Sequence, residues 1–273
     1  MIFDLDGVIY RGRQPVPGAA DLVAALRQAG LLVRFATNNS MATRALYVPR
    51  LVEMGIPAEV DEIVTSTSAT VDHLHAHLPA VRRVMAVGAA GMLDELQAAG
   101  FEAIAAGDAV DASYDGGPLG ADYDAVIAGL DPAFDFRRLA AATTAIRAGA
   151  RFIATNADLR YPTPSGFLPG AGAIIAALRA ASGSDPLIIG KPEPGIFTAI
   201  LERAGVAADE AVAIGDNPDA DMVAARRAGM RSILVLTGVA DAAMAATLDG
   251  ERRPDHVADD PDAVAALLLP GLS

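Results

Sequence analysis

A short apolar run that stops at polar residues and gives way to a helix-like segment recurs along this chain, and that rhythm restricts the fold more than any other feature. Ile2-Phe3-Asp4-Leu5-Asp6 opens it. Residues 31–36 run into Thr37-Asn38-Asn39-Ser40, residues 187–190 into Lys191-Pro192, residues 211–215 into Asp216-Asn217, and residues 232–236 into Thr237-Gly238. Between these runs, helical spacing of apolar residues covers 20–29, 41–54, 195–204 and 219–228. Each segment is followed by a glycine (Gly30, Gly55, Gly205, Gly229), the residue expected just past a helix end. Pro49 is expected to bend the second of them. Such alternation predicts an α/β fold with a parallel sheet covered on both faces. In such sheets ligands bind at the carboxyl ends of the strands, and there the polar clusters fall.

The middle of the chain repeats the rhythm with other residues. Residues 84–87, 123–128 and 151–154 read as strands, and 91–99, 136–148 and 170–181 as helices. This stretch is long enough to form its own α/β domain. Its edges are the polar segment His77-Leu78-Pro79 and the loop Ser182-Gly183-Ser184-Asp185-Pro186. The expected organisation is a core in two sequence pieces, 1–78 and 184–273, with a domain of residues 79–183 inserted between them. A short echo, Ala-Gly then an apolar run then Ala-Thr-Asn, occurs at 29–38 and 148–156 and places Thr155-Asn156 at another strand end. Asp115-Gly116-Gly117-Pro118 reads as a surface turn.

Charge and composition exclude several classes of function. A net charge of −13 over 273 residues argues against nucleic-acid and anionic-membrane binding. The absence of Cys excludes disulfides, a thiol nucleophile and thiolate metal sites. No apolar run reaches the roughly 18 residues a membrane helix needs, and the N-terminus lacks the parts of a signal peptide, so a cytoplasmic protein is expected. Of the 21 Lys and Arg residues, Lys191 alone is lysine. Arg and Lys differ most where a compact, flexible point charge is needed, and that singles out Lys191.

Asp4 and Asp6 flank Leu5 at the end of the first run, with Gly7 next. Carboxylates this close repel unless a cation lies between them or one is protonated. A hard cation such as Mg²⁺ takes oxygen ligands and shares them with phosphate, and a carboxylate can itself attack phosphorus. Asp216 follows another run and supplies a third carboxylate for a cation site. Asp221 is expected to support Lys191, with Asn217 beside them, whereas Asp219 suits the surface near a helix start. Thr37 and Asn38 offer a hydroxyl, an amide and backbone N–H groups that can grip phosphate oxygens. His73, His75 and His77 have helical spacing but no accompanying third ligand set, and read as a solvated helix face. Gly88-Ala89-Ala90-Gly91 lacks a full dinucleotide fingerprint.

Asp4-Leu5-Asp6-Gly7-Val8-Ile9-Tyr10, Thr37-Asn38-Asn39-Ser40, Gly190-Lys191-Pro192 and Gly215-Asp216-Asn217-Pro218-Asp219-Ala220-Asp221, in this order, resemble the haloacid dehalogenase (HAD) superfamily of phosphatases over nearly the whole chain. The long insertion resembles the large α/β cap of the type IIA (C2) subfamily, which includes p-nitrophenyl, phosphoglycolate, glycerol 3-phosphate and pyridoxal phosphate phosphatases. Within it, Ala154-Thr155-Asn156-Ala157-Asp158 and Leu168-Pro169-Gly170-Ala171-Gly172 carry the likeness. The resemblance implies a Rossmann-like core and a Mg²⁺-dependent phosphatase acting on a small phosphorylated metabolite. Asp4 would be the nucleophile and Asp6 the general acid and base. Mg²⁺ would be held by Asp4, the backbone carbonyl of Asp6, and Asp216. Thr37, Asn38 and Lys191 would bind the phosphoryl group, Gly7, Asn217 and Asp221 would support them, and Asn156 and Asp158 would be cap contacts to substrate.

Glycerol 3-phosphate or 2-phosphoglycolate is the leading substrate class, then pyridoxal phosphate. A homodimer through the cap is also implied by resemblance. Ala220 stands where relatives often carry Thr, and a start upstream of Met1 would lengthen the short first strand. A phosphotransferase or mutase would pass through the same aspartyl-phosphate. A non-catalytic phospho-signalling module also combines acids, Thr and Lys, but its paired acids are adjacent and it has no large insertion.

Overall fold

The computed structural model describes residues 1–163 and 166–269. The chain packs as two compact units. One comprises residues 1–37, 44–64 and those from Lys191 onward, the other residues 38–43 and 65–190.

Strands β1 (Ile2–Asp4), β2 (Tyr10–Arg11), β3 (Gln14–Pro15), β4 (Arg34–Thr37) and β5 (Ile63–Thr65) come first along the chain. They are followed by β6 (Arg83–Val87), β7 (Glu102–Ala105), β8 (Ala125–Ala128), β9 (Arg151–Ala154), β10 (Arg160–Thr163), β11 (Gly166–Pro169) and β12 (Leu187–Ile188). The last are β13 (Val212–Gly215), β14 (Arg231–Val235) and β15 (His256–Ala258).

The first sheet has the order β15-β14-β13-β1-β4-β5. β1 lies at its centre, parallel to β13 and β4, with Phe3 opposite Ile214 and Phe35. A run buried on both faces reads as continuous apolar sequence, and Phe3, Leu5, Phe35, Ile63 and Ile214 are all buried. Because the strands are parallel, their last residues share one edge. That edge collects Asp4, Thr37 and the residue after β13, Asp216.

The second sheet, β12-β9-β8-β6-β7, is also parallel. Its core joins Met85, Val126 and Phe152 to Ala141, Ala142, Ala145 and Ile175 on the helices Phe136–Arg147 and Ala171–Ser182. Small alanines let these helices lie close on the strands at the packing density of a protein interior. β2 with β3, and β10 with β11, form separate antiparallel hairpins.

The helices at 19–28 and 195–204 match the sequence pattern, and Gly30 and Gly205 take positive φ. Four segments differ. The helix expected over 41–54 is a 3₁₀ turn, Arg44–Leu46, leading into Tyr47–Glu53. Pro49 therefore lies in the first turn, where its missing N–H leaves no bond unmade, and it has no interior helix to bend. The segment 187–190, expected to join the sheet bearing Asp4, instead forms β12 at the edge of the second sheet. β7 was not anticipated. Residues 219–228 begin as a π-helical turn, Pro218–Met222, before the helix Val223–Arg227. Residues 65–78 and 184–190 group with the second unit, although the sequence pattern assigned them to the first.

Candidate active site

Four side chains of the first unit converge at the carboxyl edge of its sheet. Lys191 is 3% exposed. Its Nζ donates to Asp4 Oδ1 at 2.5 Å and to Asp221 Oδ1 at 2.6 Å. Carboxylate oxygens of Asp4, Asp216 and Asp221 lie within 4.8 Å of one another. Asp216 Oδ2 also accepts the Val239 N–H at 2.7 Å, and Asp221 Oδ2 accepts the Asn217 N–H at 3.1 Å.

The local chain is shaped for this convergence. Gly7 has φ 85°, a region open to glycine. A Cβ at Gly7 or at Gly238 would overlap the Asp216 carboxylate, and one at Gly215 would overlap Asp221. The π-helical turn brings Asp221 back beneath Asn217, whose carbonyl accepts the Asp221 N–H at 2.8 Å. Asn217 Oδ1 accepts the Asp219 N–H at 3.0 Å and so caps that turn. Asp219 itself faces out and pairs with Arg252 at 2.7 Å.

Three carboxylates against one ammonium is an unbalanced buried charge. Burial pushes Asp4 well above the usual carboxylate range. Lys191 opposes this, and the charges of Asp221 and Asp216 add to it. Asp216 is pushed up to about 7, first by burial and then by Asp221, against the Val239 N–H and Lys191. Burial alone would lower Lys191, but Asp221 and Asp4 outweigh it and hold the ammonium charged. Oxygen donors in excess of local positive charge suit a hard divalent cation, so the residues fit Mg²⁺.

Asp6 is exposed, and its carboxylate is not among the three that cluster; the ligand that the resemblance implies is its backbone carbonyl. The surface is open at Asp6, yet the surrounding atoms dehydrate its carboxyl enough to raise its pKa, with Arg50 and Lys191 pulling the other way. Thr37 is buried at the end of β4, one residue beyond Ala36, which pairs with Asp4.

Asn38 belongs to the second unit. Its Nδ2 donates to both oxygens of Asp158 at 3.1 Å, and its carbonyl accepts from Asn156 Nδ2 and Ser66 Oγ, each at 2.7 Å. Asn156 and Asp158, read from the sequence as substrate contacts, thus hold Asn38 in place. The His73 and His77 rings lie 4.7 Å apart and His75 stacks on Phe101. Among the described residues the Asp4, Asp216 and Asp221 group is the one with metal-binding spacing.

Two residues near Asp6 carried little signal in the sequence. The Arg50 guanidinium lies 3.6 Å from the ring centroid of Tyr10, and Tyr10 is fully buried. Tyr10 appears in the opening motif, but nothing in the pattern around Arg50 marks it.

Fold and site together define an aspartate-centred enzyme that works at the carboxyl edge of a parallel sheet on an anionic, phosphate-like group. The chain belongs to the haloacid dehalogenase-like hydrolases: that family's model matches residues 1–102, and a HAD-hydrolase-like model matches residues 188–263. The chain is 35% identical to a D-glycerol 3-phosphate phosphatase of Mycobacterium tuberculosis, over 95% of this chain and 69% of that one. It is 36% identical to an acid sugar phosphatase of Staphylococcus aureus, over 87% and 86%. The glycerol phosphate phosphatase of M. tuberculosis solved in complex with magnesium superposes with a TM-score of 0.83 at 34% identity, over 96% of this chain and 75% of that one.

Proposed function

We propose that this protein is a Mg²⁺-dependent phosphatase that hydrolyses a small phosphomonoester, glycerol 3-phosphate first among the candidates, through an aspartyl-phosphate on Asp4. The observation that carries the reading is the contact of Lys191 with both Asp4 and Asp221 inside a three-carboxylate group. The likeness to phosphatases of glycerol 3-phosphate and of acid sugars supports a polyol or sugar phosphate as substrate.

Asp4 attacks phosphorus, and the bond from phosphorus to the alkoxy oxygen breaks as Asp6 gives that oxygen a proton. A water then attacks the phosphorus of the acyl phosphate and passes its proton to Asp6. The bond to Asp4 breaks, and inorganic phosphate leaves. Lys191 offsets charge on the phosphoryl oxygens and works against the rise in proton affinity that burial gives Asp4. Its second contact, to Asp221, fixes the ammonium in place. The raised proton affinity of Asp6 suits a group that must carry a proton near neutral pH. Thr37, with the backbone at Asn38, would bind the phosphoryl oxygens. Asp4, Asp216 and the backbone carbonyl of Asp6 would hold Mg²⁺, with Asp221 beside them supporting Lys191, and the ion would supply positive charge against the transferring phosphoryl group.

The test is phosphate release from glycerol 3-phosphate, 2-phosphoglycolate, pyridoxal phosphate and sugar phosphates, with Mg²⁺ and with EDTA. Turnover that needs Mg²⁺ and falls by at least about 10³-fold in Asp4→Asn is expected, as for loss of a nucleophile. No release from any ester by folded protein would end the phosphatase reading. A new phosphoester in place of free phosphate would make it a phosphotransferase.

A further inference from the structure

We infer that Arg50 is a positioning residue for the acid–base step: from outside the reacting atoms, it clamps the turn that carries Asp6. The inference rests on the phosphatase reading above.

Asp6 sits in a tight turn closed by Tyr10. The Tyr10 N–H donates to the Leu5 carbonyl at 3.2 Å, the Gly7 N–H donates to the Tyr10 carbonyl at 2.7 Å, and Asp6 and Tyr10 form an isolated backbone bridge. Wherever Tyr10 goes, Asp6 follows. The Tyr10 side chain is fully buried, and one face of its ring is covered by the Arg50 guanidinium. The same guanidinium donates to the carbonyl of Gly12, between β2 and β3. One side chain therefore grips the hairpin twice, by a cation–π contact and by a charge-assisted hydrogen bond. Its base is rigid: the helix Tyr47–Glu53 buries Tyr47 and Leu51.

The opposite flank is held by other means. Arg11 Nε donates to the Thr237 carbonyl, and Thr237 Oγ1 donates to the Gly7 carbonyl at 2.7 Å. The turn is thus fastened on both sides, and Arg50 makes the contacts on the side of the helix Tyr47–Glu53. Arg50 itself carries no proton or phosphoryl group. Beside the pull of its charge on the Asp6 carboxyl, it acts through the placement of Asp6, and small displacements of a reacting group are costly in rate.

The clamp predicts an unusual kinetic pattern. An alkoxide is a poor leaving group and needs the Asp6 proton, whereas 4-nitrophenolate departs without one. Hydrolysis of the aspartyl-phosphate needs Asp6 as base whichever ester formed it. The experiment measures Arg50→Ala, Arg50→Met and Arg50→Lys with Mg²⁺ on glycerol 3-phosphate and 4-nitrophenyl phosphate. Rapid-mixing detection of the 4-nitrophenolate burst and circular dichroism accompany the steady state.

For Arg50→Ala and Arg50→Met we expect kcat on glycerol 3-phosphate to fall by about tenfold or more with KM changed by less than about twofold. The burst rate on 4-nitrophenyl phosphate should be kept, and phosphoenzyme should accumulate. Arg50→Lys, which leaves a cation over the ring, should recover part of the loss. Folded variants with parental kcat on both esters, or with equal losses in the burst and in alkyl-ester turnover, would overturn the inference. If Arg50→Ala does not fold, the Met and Lys variants carry the same test. If the parent does not turn over glycerol 3-phosphate, the alkyl ester of the panel above that it does turn over takes its place; a parent inert on every ester would sink the phosphatase reading, so the two failures are distinct.

Discussion

Asp216 is the residue at which stability and function oppose each other. It is buried beside Asp221, and its carboxyl is pushed up to about 7. In metal-free protein the folded state therefore keeps a proton on Asp216 that the unfolded chain releases near pH 4. The stability this site contributes is complete below about pH 4 and is lost as pH rises through about 7. Asp216→Asn removes that dependence. In EDTA at pH 8 the variant should be more stable than the parent by on the order of 2 kcal/mol, and the rise in Tm on adding Mg²⁺ should vanish. Thermal melts at pH 5 and pH 8, with and without metal, measure both. A variant less stable than the parent at pH 8 without metal would contradict the account.

The residues of the cluster were legible in the sequence because polar residues that end an apolar run must lie at the carboxyl edge of a parallel sheet. Lys191 was legible because it is the one lysine. The contacts that Asn156 and Asp158 make with Asn38 were not, since polar side chains at a strand end carry no mark of the neighbour they hold. The same is true of Arg50, whose contacts are with a ring and a carbonyl far away in sequence.

Among the elements, the turn from Pro218 to Met222 and the loop at Gly238 shape the site as much as the strands do. Gly238 does not need a left-handed backbone. It needs the absence of a Cβ, because the Asp216 carboxylate fills that space. Gly12 is the opposite case: its φ is 57°, and nothing lies near the position of its Cβ. Gly238→Ala should lower kcat/KM by at least about 100-fold through displacement of Asp216. Gly12→Ala should cost only about 1 kcal/mol of stability. Titration of Mg²⁺ binding should show weakened affinity in the first and parental affinity in the second.

Helices ending at glycine and strands of four or five apolar residues were readable from periodicity. β12 was not, since two residues at a sheet edge carry no pattern and the choice of sheet is made by tertiary packing. The π-helical turn is not separable from ordinary helix in the sequence, because its five residues make a single turn, too short to show a different apolar period.

For the whole molecule, the two units have separate sheets and separate cores, and the clustered carboxylates all belong to the first. A ligand stabilises the state that binds it by about 2.7 kcal/mol at a hundredfold excess over Kd. Hydrogen exchange should therefore show the amides of β1 and β13 gaining protection when Mg²⁺ is added, while those of β6 and β8 keep theirs. Equal gains in both sheets would mean that the units open as one. The alternation of elements made a second set of strands and helices readable, but which residues group with its sheet follows packing that no local pattern encodes.

The ion pair between Lys191 and Asp4 joins residues 187 positions apart, and that distance sets an order of events during synthesis. A ribosome working at about 5–20 residues per second needs roughly 10–40 s to pass from Asp4 to Asp216. In that interval the strand bearing Asp4 has emerged with β4 but without β13, its neighbour on the other side, and the contiguous stretch from 65 to 190 is complete before Lys191 has been made. Any chemistry that needs Asp4, Lys191 and Asp216 together therefore waits until the strand that leads into Asp216 has been made.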